Sequence, residues 1–100
     1  MRIPDIIRIG AQDYSVSVSD VPGSHGNLGE CNHSKLTIEI DSSSPLPRQQ
    51  QTLIHEIVEA MDFELNIGLK HHQVELLESG LYGLIRDNPG LFGGSSGKTR

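Results

Sequence analysis

The hydrophobic period of the chain changes once, at Asp41-Ser42-Ser43-Ser44-Pro45, and that change confines it to a sheet joined to helices. Before it, Ile6 to Ile9 and Tyr14 to Ser19 alternate apolar and polar residues, the period of half-buried strands, with Gly10-Ala11-Gln12-Asp13 as the turn between them. Val21 to Gly29 is rich in Gly, Pro and Ser. Leu28 to Cys31 and Leu36 to Ile40 then form a second hairpin about Asn32, His33 and Ser34, with Leu36, Ile38 and Ile40 on its buried face. After the change, apolar residues recur at three- and four-residue steps. Ile54, Ile57, Val58, Met61 and Leu65 predict a helix from about Pro47 to Leu65, and Val74, Leu77, Leu81, Leu84 and Ile85 predict a second from about Lys70 to Asp87.

Boundary signals agree with these spans. Ser or Asp in the 41–45 segment can cap free helix amides, Gly68 lies where a C-terminal cap would, and Asn88-Pro89-Gly90 stops the second helix. One hundred residues make one small domain, read as residues 1–92 with a flexible Gly/Ser-rich tail at 93–100. Such a domain buries only about 60 to 65 per cent of its unfolded surface, so a bound metal would be a useful addition to a thin core. The expected class is α+β: a small, mostly antiparallel sheet of three or four strands packs on the first helix, and the second helix crosses it.

Charge and cysteine usage exclude several functions. Eight Lys and Arg stand against 13 Asp and Glu, giving −5 without a basic run, so no nucleic-acid partner is expected. The single Cys31 cannot form an internal disulfide, and no apolar stretch has the length or flanks of a membrane span or leader. A cytoplasmic protein with no membrane partner is the expectation.

The chemistry concentrates in Thr52-Leu53-Ile54-His55-Glu56-Ile57-Val58-Glu59-Ala60-Met61-Asp62. His55 and Glu59 are one helical turn apart with Glu56 between them, the layout of an H-E-x-x-H zinc helix with the second histidine replaced by a carboxylate. Side chains at i and i+4 have Cβ atoms roughly 5 to 6 Å apart, and imidazole nitrogen and carboxylate oxygen both bind zinc at about 2.0 to 2.2 Å. A His-Glu pair can therefore straddle one ion. The competing interpretation is an amphipathic helix with two solvated glutamates and a partly buried histidine. For a third ligand, His71 shares the inward face of Val74, Leu77 and Leu81, whereas His72 is turned roughly 100° away. Glu78 is the rival candidate and Glu75 a weaker one.

With Leu36-Thr37-Ile38-Glu39-Ile40, Thr52-Leu53-Ile54-His55-Glu56 and Gly80-Leu81-Tyr82-Gly83-Leu84-Ile85-Arg86-Asp87-Asn88-Pro89, the chain resembles small phage and prophage zincin-like proteins akin to the ImmA/IrrE-type metallopeptidases. The resemblance covers nearly all of the chain except the tail. Members usually pair H-E-x-x-H with a glutamate at the start of the next helix. Here Glu59 stands where the second histidine belongs and His71 about where the third-ligand glutamate belongs, so two histidines and one carboxylate are retained in exchanged positions. The resemblance implies one zinc ion on His55, Glu59 and His71, with Glu56 as general base and a protein or peptide, such as a regulatory protein, as substrate. It also implies residence in a host cytoplasm if the chain is phage-encoded.

Leu36 to Ile40, taken as an edge strand, would bind an extended peptide by strand addition. No clear oxyanion donor stands out: Tyr14, Tyr82, His25 and His33 are candidates, and each fits a structural or exposed role better. Cys31 with His33 lacks the partners of a metal site or nucleophile and fits a small buried residue. Two function classes follow: a minimal zinc metallopeptidase, or a noncatalytic domain of the same fold that binds a protein partner, with a structural metal or none.

Overall fold

Gly10 takes a left-handed φ of 61°, which lets a two-residue loop, Gly10-Ala11, reverse the chain so that Ile9 pairs with Gln12. The turn is shorter than the sequence suggests, and Gln12 and Asp13 belong to the strand that follows. The computed structural model describes residues 1–20 and 28–91. Its elements are β1 (Ile6–Ile9), β2 (Gln12–Ser19), β3 (Gly29–Asn32), β4 (Thr37–Asp41), α1 (Leu46–Leu65) and α2 (His71–Asp87). The expectations placed on Val21 to Asn27, His25 among them, and on the tail at 93–100 lie outside the described residues.

The fold is α+β, with one four-stranded mixed sheet in the order β1-β2-β4-β3. β1 and β2 pair antiparallel, as do β3 and β4, while β2 and β4 run parallel, Val16 opposite Ile38 and Val18 opposite Ile40. This corrects the expectation that Leu36 to Ile40 is an edge. β4 pairs with β2 on one side and β3 on the other, because its register with β2 is set by a partner remote in sequence, and Ile38 and Ile40 are fully buried. The edges are β1 and β3, and α1 packs against both. Leu36 also leaves the strand, with φ 57° in a turn closed by the Lys35 amide donating to Asn32 Oδ1 at 3.0 Å.

α1 is buried on two sides. Leu53 and Ala60 join Ile9, Tyr14, Val16, Ile38 and Ile40 in a core against the sheet. Ile54 and Val58 pack on Val74 of α2, backed by Leu69, Leu81, Tyr82 and Ile85, and Ile57 touches both clusters. The order is thus sheet, α1, α2, and among the described residues α2 packs on α1 alone. Met61, Leu65, Leu77 and Leu84, expected in the buried stripes, are exposed. A middle helix covered on two sides replaces the single stripe with two, and a crossing outer helix reaches its neighbour only along part of its length.

The helix ends also differ from expectation. α1 begins after Pro45 with no side-chain cap, because Asp41 is occupied in its own turn, accepting from the Ser43 amide at 3.0 Å and hydroxyl at 2.9 Å. At the other end Asn66, not Gly68, takes the left-handed cap position, with φ 54°. Asp62 then organises the interhelical turn, its Oδ1 accepting from the Gly68 amide at 2.7 Å and the Leu69 amide at 2.8 Å.

Candidate metal centre

α1 turns one residue in three or four toward the sheet, and Glu56 falls on that face between Leu53 and Ala60. A carboxylate is thereby carried into the interface between α1 and β3, where only 5 % of the residue remains exposed. Its Oε1 is buried with no hydrogen-bond partner among the described residues. Burial, followed by the charge of neighbouring Glu59, pushes its pKa up to about 8 despite the opposing effect of His55. Glu56 therefore holds its proton well above the ordinary carboxyl range.

The close approach of α1 to β3 depends on Gly29. A Cβ there would lie 2.6 Å from Thr52 Cγ2, 3.0 Å from the Glu39 carbonyl and 3.4 Å from Glu56 Oε2. The position was missed at the level of sequence, although a glycine inside a strand is itself a signal of close approach.

His55 and Glu59 meet as the i, i+4 spacing requires, with His55 Nε2 3.2 Å from Glu59 Oε2. His55, Glu56 and Glu59 each offer a ligand atom, all within 4.8 Å of one another, and together they form a group that could hold a metal ion. The other face of the imidazole is engaged by α2. His55 Nδ1 lies 2.7 Å from Glu78 Oε1, and Glu78 Oε2 accepts from Gln51 Nε2, also at 2.7 Å. Burial alone would lower the His55 pKa, but the hydrogen bond to Glu78 and the charges of Glu56, Glu59 and Glu78 outweigh it, and the net shift is upward. With both oxygens committed, Glu78 acts on the imidazole rather than as a free ligand, leaving Nε2 as the nitrogen directed at Glu59.

His71 comes to the rim of the same cluster. Its ring centroid is 6.4 Å from that of His55, edge to face, but its side chain is 74 % exposed and its Nε2 pairs with Glu75 Oε2 at 3.1 Å. It is the first residue of α2, so the face it shares with Glu75 and Glu78 borders the site while the ring stands at the surface. His72 is exposed as well.

The remaining candidates sit elsewhere. Tyr14 is fully buried and its hydroxyl donates to Glu64 Oε2 at 2.6 Å, with His33 Nδ1 at 3.3 Å. His33 stacks on Phe63 at 4.2 Å, and the Tyr82 hydroxyl donates to Gln50 Oε1 at 3.3 Å. These are structural contacts binding the β3–β4 turn and α2 to α1. Burial and the charges of Glu56, Glu59 and Glu64 push the Cys31 thiol up to about 12, which removes it as a thiolate nucleophile at neutral pH. An open pocket of about 330 Å³ adjoins the cluster, lined by Leu28, Gly29, Arg48, Thr52, His55, Glu56, Glu75 and Glu78. No described helix is long and apolar enough to cross a membrane. No family model, curated protein or solved structure matches this chain, so a functional reading rests on the chemistry of these residues.

Proposed function

We propose that this protein is a zinc-dependent metallopeptidase, with His55, Glu59 and His71 as zinc ligands and Glu56 as general base. The observation that carries the reading is the buried Glu56 carboxyl, its Oε1 without a hydrogen-bond partner among the described residues, set against a histidine and a second carboxylate on the same helix. Burying such a group without a partner is costly, and folds keep it where a cation, a proton or a reacting molecule completes it. The donor set of nitrogen and oxygen atoms suits zinc.

When bound, zinc would polarise the scissile carbonyl and lower the pKa of water to about 7. The chain's own residues supply the rest. Glu56 takes a proton from the attacking water and passes it to the departing amine. Glu78 accepts a hydrogen bond from His55 Nδ1–H, fixing the tautomer that presents Nε2, and Gln51 holds Glu78 in place.

Protein purified without added metal should contain about one zinc, and replacing His55, Glu59 or His71 by Ala should weaken its binding. Glu56→Gln should retain zinc while losing roughly a hundredfold or more in peptide turnover. If zinc-loaded wild type cleaves nothing that Glu56→Gln leaves intact, the peptidase reading fails. A noncatalytic domain that binds a protein partner then takes its place.

A further inference from the structure

Arg48 lies where two pockets meet. It lines the pocket of about 330 Å³ that adjoins His55 and Glu56, and also a second of about 420 Å³ formed with Pro45, Pro47, Gln51 and Tyr82. Among the described residues its guanidinium has no carboxylate partner, only a long contact of 3.5 Å to Gln51 Oε1, whereas Arg8 and Arg86 are each paired with an aspartate. None of the glutamates lining the first pocket forms an ion pair with it among the described residues. Glu78 is held by His55 and Gln51, Glu75 faces His71, and Glu56 points into the α1–β3 interface.

We propose that Arg48, with Pro45, Pro47 and Tyr82, forms a subsite for the C-terminal residue of a peptide, binding its free carboxylate and an apolar side chain. The chemistry is complementary on both counts. A guanidinium fork matches a carboxylate in two parallel hydrogen bonds, and two prolines with a tyrosine ring make a rigid apolar wall. Arg48 precedes His55 by seven residues on α1, roughly 10 Å along the helix axis, and an extended peptide covers that distance in about three residues. The bond presented to the candidate metal centre is thus the one two or three residues from the chain end. The proposal rests on the peptidase reading only in taking the bound peptide as a substrate, since recognition of the chain end needs no turnover.

The test uses full-length Glu56→Gln protein in zinc, so that peptides stay intact, and measures binding by calorimetry. The probes are an acetylated Ala-Ala-Leu tripeptide, its C-terminal amide, and an acetylated Ala-Glu-Ala amide carrying its only carboxylate on a side chain. The free acid should bind at least about tenfold more tightly than either amide, and adding Arg48→Gln should abolish that preference. Tyr82→Ala should weaken the Leu-ended peptide more than a Gly-ended one, and thermal melts of both variants verify that they fold. Equal binding of acid and amide, equal binding of the side-chain carboxylate, no binding at all, or a preference that survives Arg48→Gln would each overturn the proposal. Failure of the peptidase reading is separately visible as a preserved binding preference in a wild-type protein that cleaves none of these peptides.

Discussion

At the scale of single residues, Glu56 and His55 make the fold's stability depend on pH with a definite sign. The pKa of Glu56 rises from an ordinary 4.5 to about 8 on folding, so between those values the folded state holds a proton that the unfolded chain releases. Its contribution is complete below the unfolded value and is lost as pH rises through the folded one. His55 is also shifted upward from 6.5, so its effect has the same sign. Metal-free protein should therefore melt at falling temperature as pH rises from about 5 to about 8, and Glu56→Gln should flatten much of that slope. Zinc should reverse it, because metal ligands must shed protons to bind. Melting curves in chelator and in zinc across this range check the prediction, and a chelated wild type that grows more stable toward pH 8 would contradict it.

At the scale of elements, the connection between α1 and α2 depends on one aspartate. Asn66 closes α1 in the left-handed conformation, the Ile67 amide bonds back to the Asp62 carbonyl at 3.1 Å, and the Asp62 side chain takes the next two amides. Two donors share a single carboxylate oxygen, so Asp62→Ala should cost about 1 to 2 kcal/mol in urea unfolding. Asp62→Asn, which keeps a carbonyl oxygen, should cost less. Because Asp62 acts on the backbone amides of Gly68 and Leu69 and on none of His55, Glu56 and Glu59, zinc stoichiometry should be unchanged in both variants. A large loss of zinc with no loss of stability would assign Asp62 a different role.

For the whole molecule, the layer order makes α2 the least anchored element. Among the described residues it packs on α1 alone, and Val74 is its one buried residue. Local opening follows few buried contacts, so α2 amides should exchange with solvent faster than those in the middle of α1. This offers a way to assign the ligands. If His71 completes the centre, zinc ties α2 to α1 and should slow exchange along the first turns of α2 by the stability the metal adds. If zinc is held by the α1 cluster of His55, Glu56 and Glu59, protection should rise in α1 and leave α2 nearly unchanged. Hydrogen exchange with and without zinc, on wild type and His71→Ala, separates the two.

Local pattern alone determined the strands Ile6–Ile9 and the run around Ile38–Ile40, both helices to within a residue at most ends, and the meeting of His55 with Glu59. These depend on periods of two and 3.6 and on the fixed rise of a helix, properties of neighbouring residues. Tertiary structure decided the remainder. Nothing in the Leu36 to Ile40 segment distinguishes an edge from a central strand, since pairing with β2 depends on a partner some twenty residues away. Helical spacing put Glu56 between His55 and Glu59, but only the stacking of α1 against Gly29 buried it and left its Oε1 without a partner among the described residues. Likewise His71 and Glu78 lie two turns apart on one face of α2. The crossing of the helices assigned Glu78 to the His55 imidazole and left His71 at the rim, because which groups touch across two helices is set by their angle and not by spacing along either one.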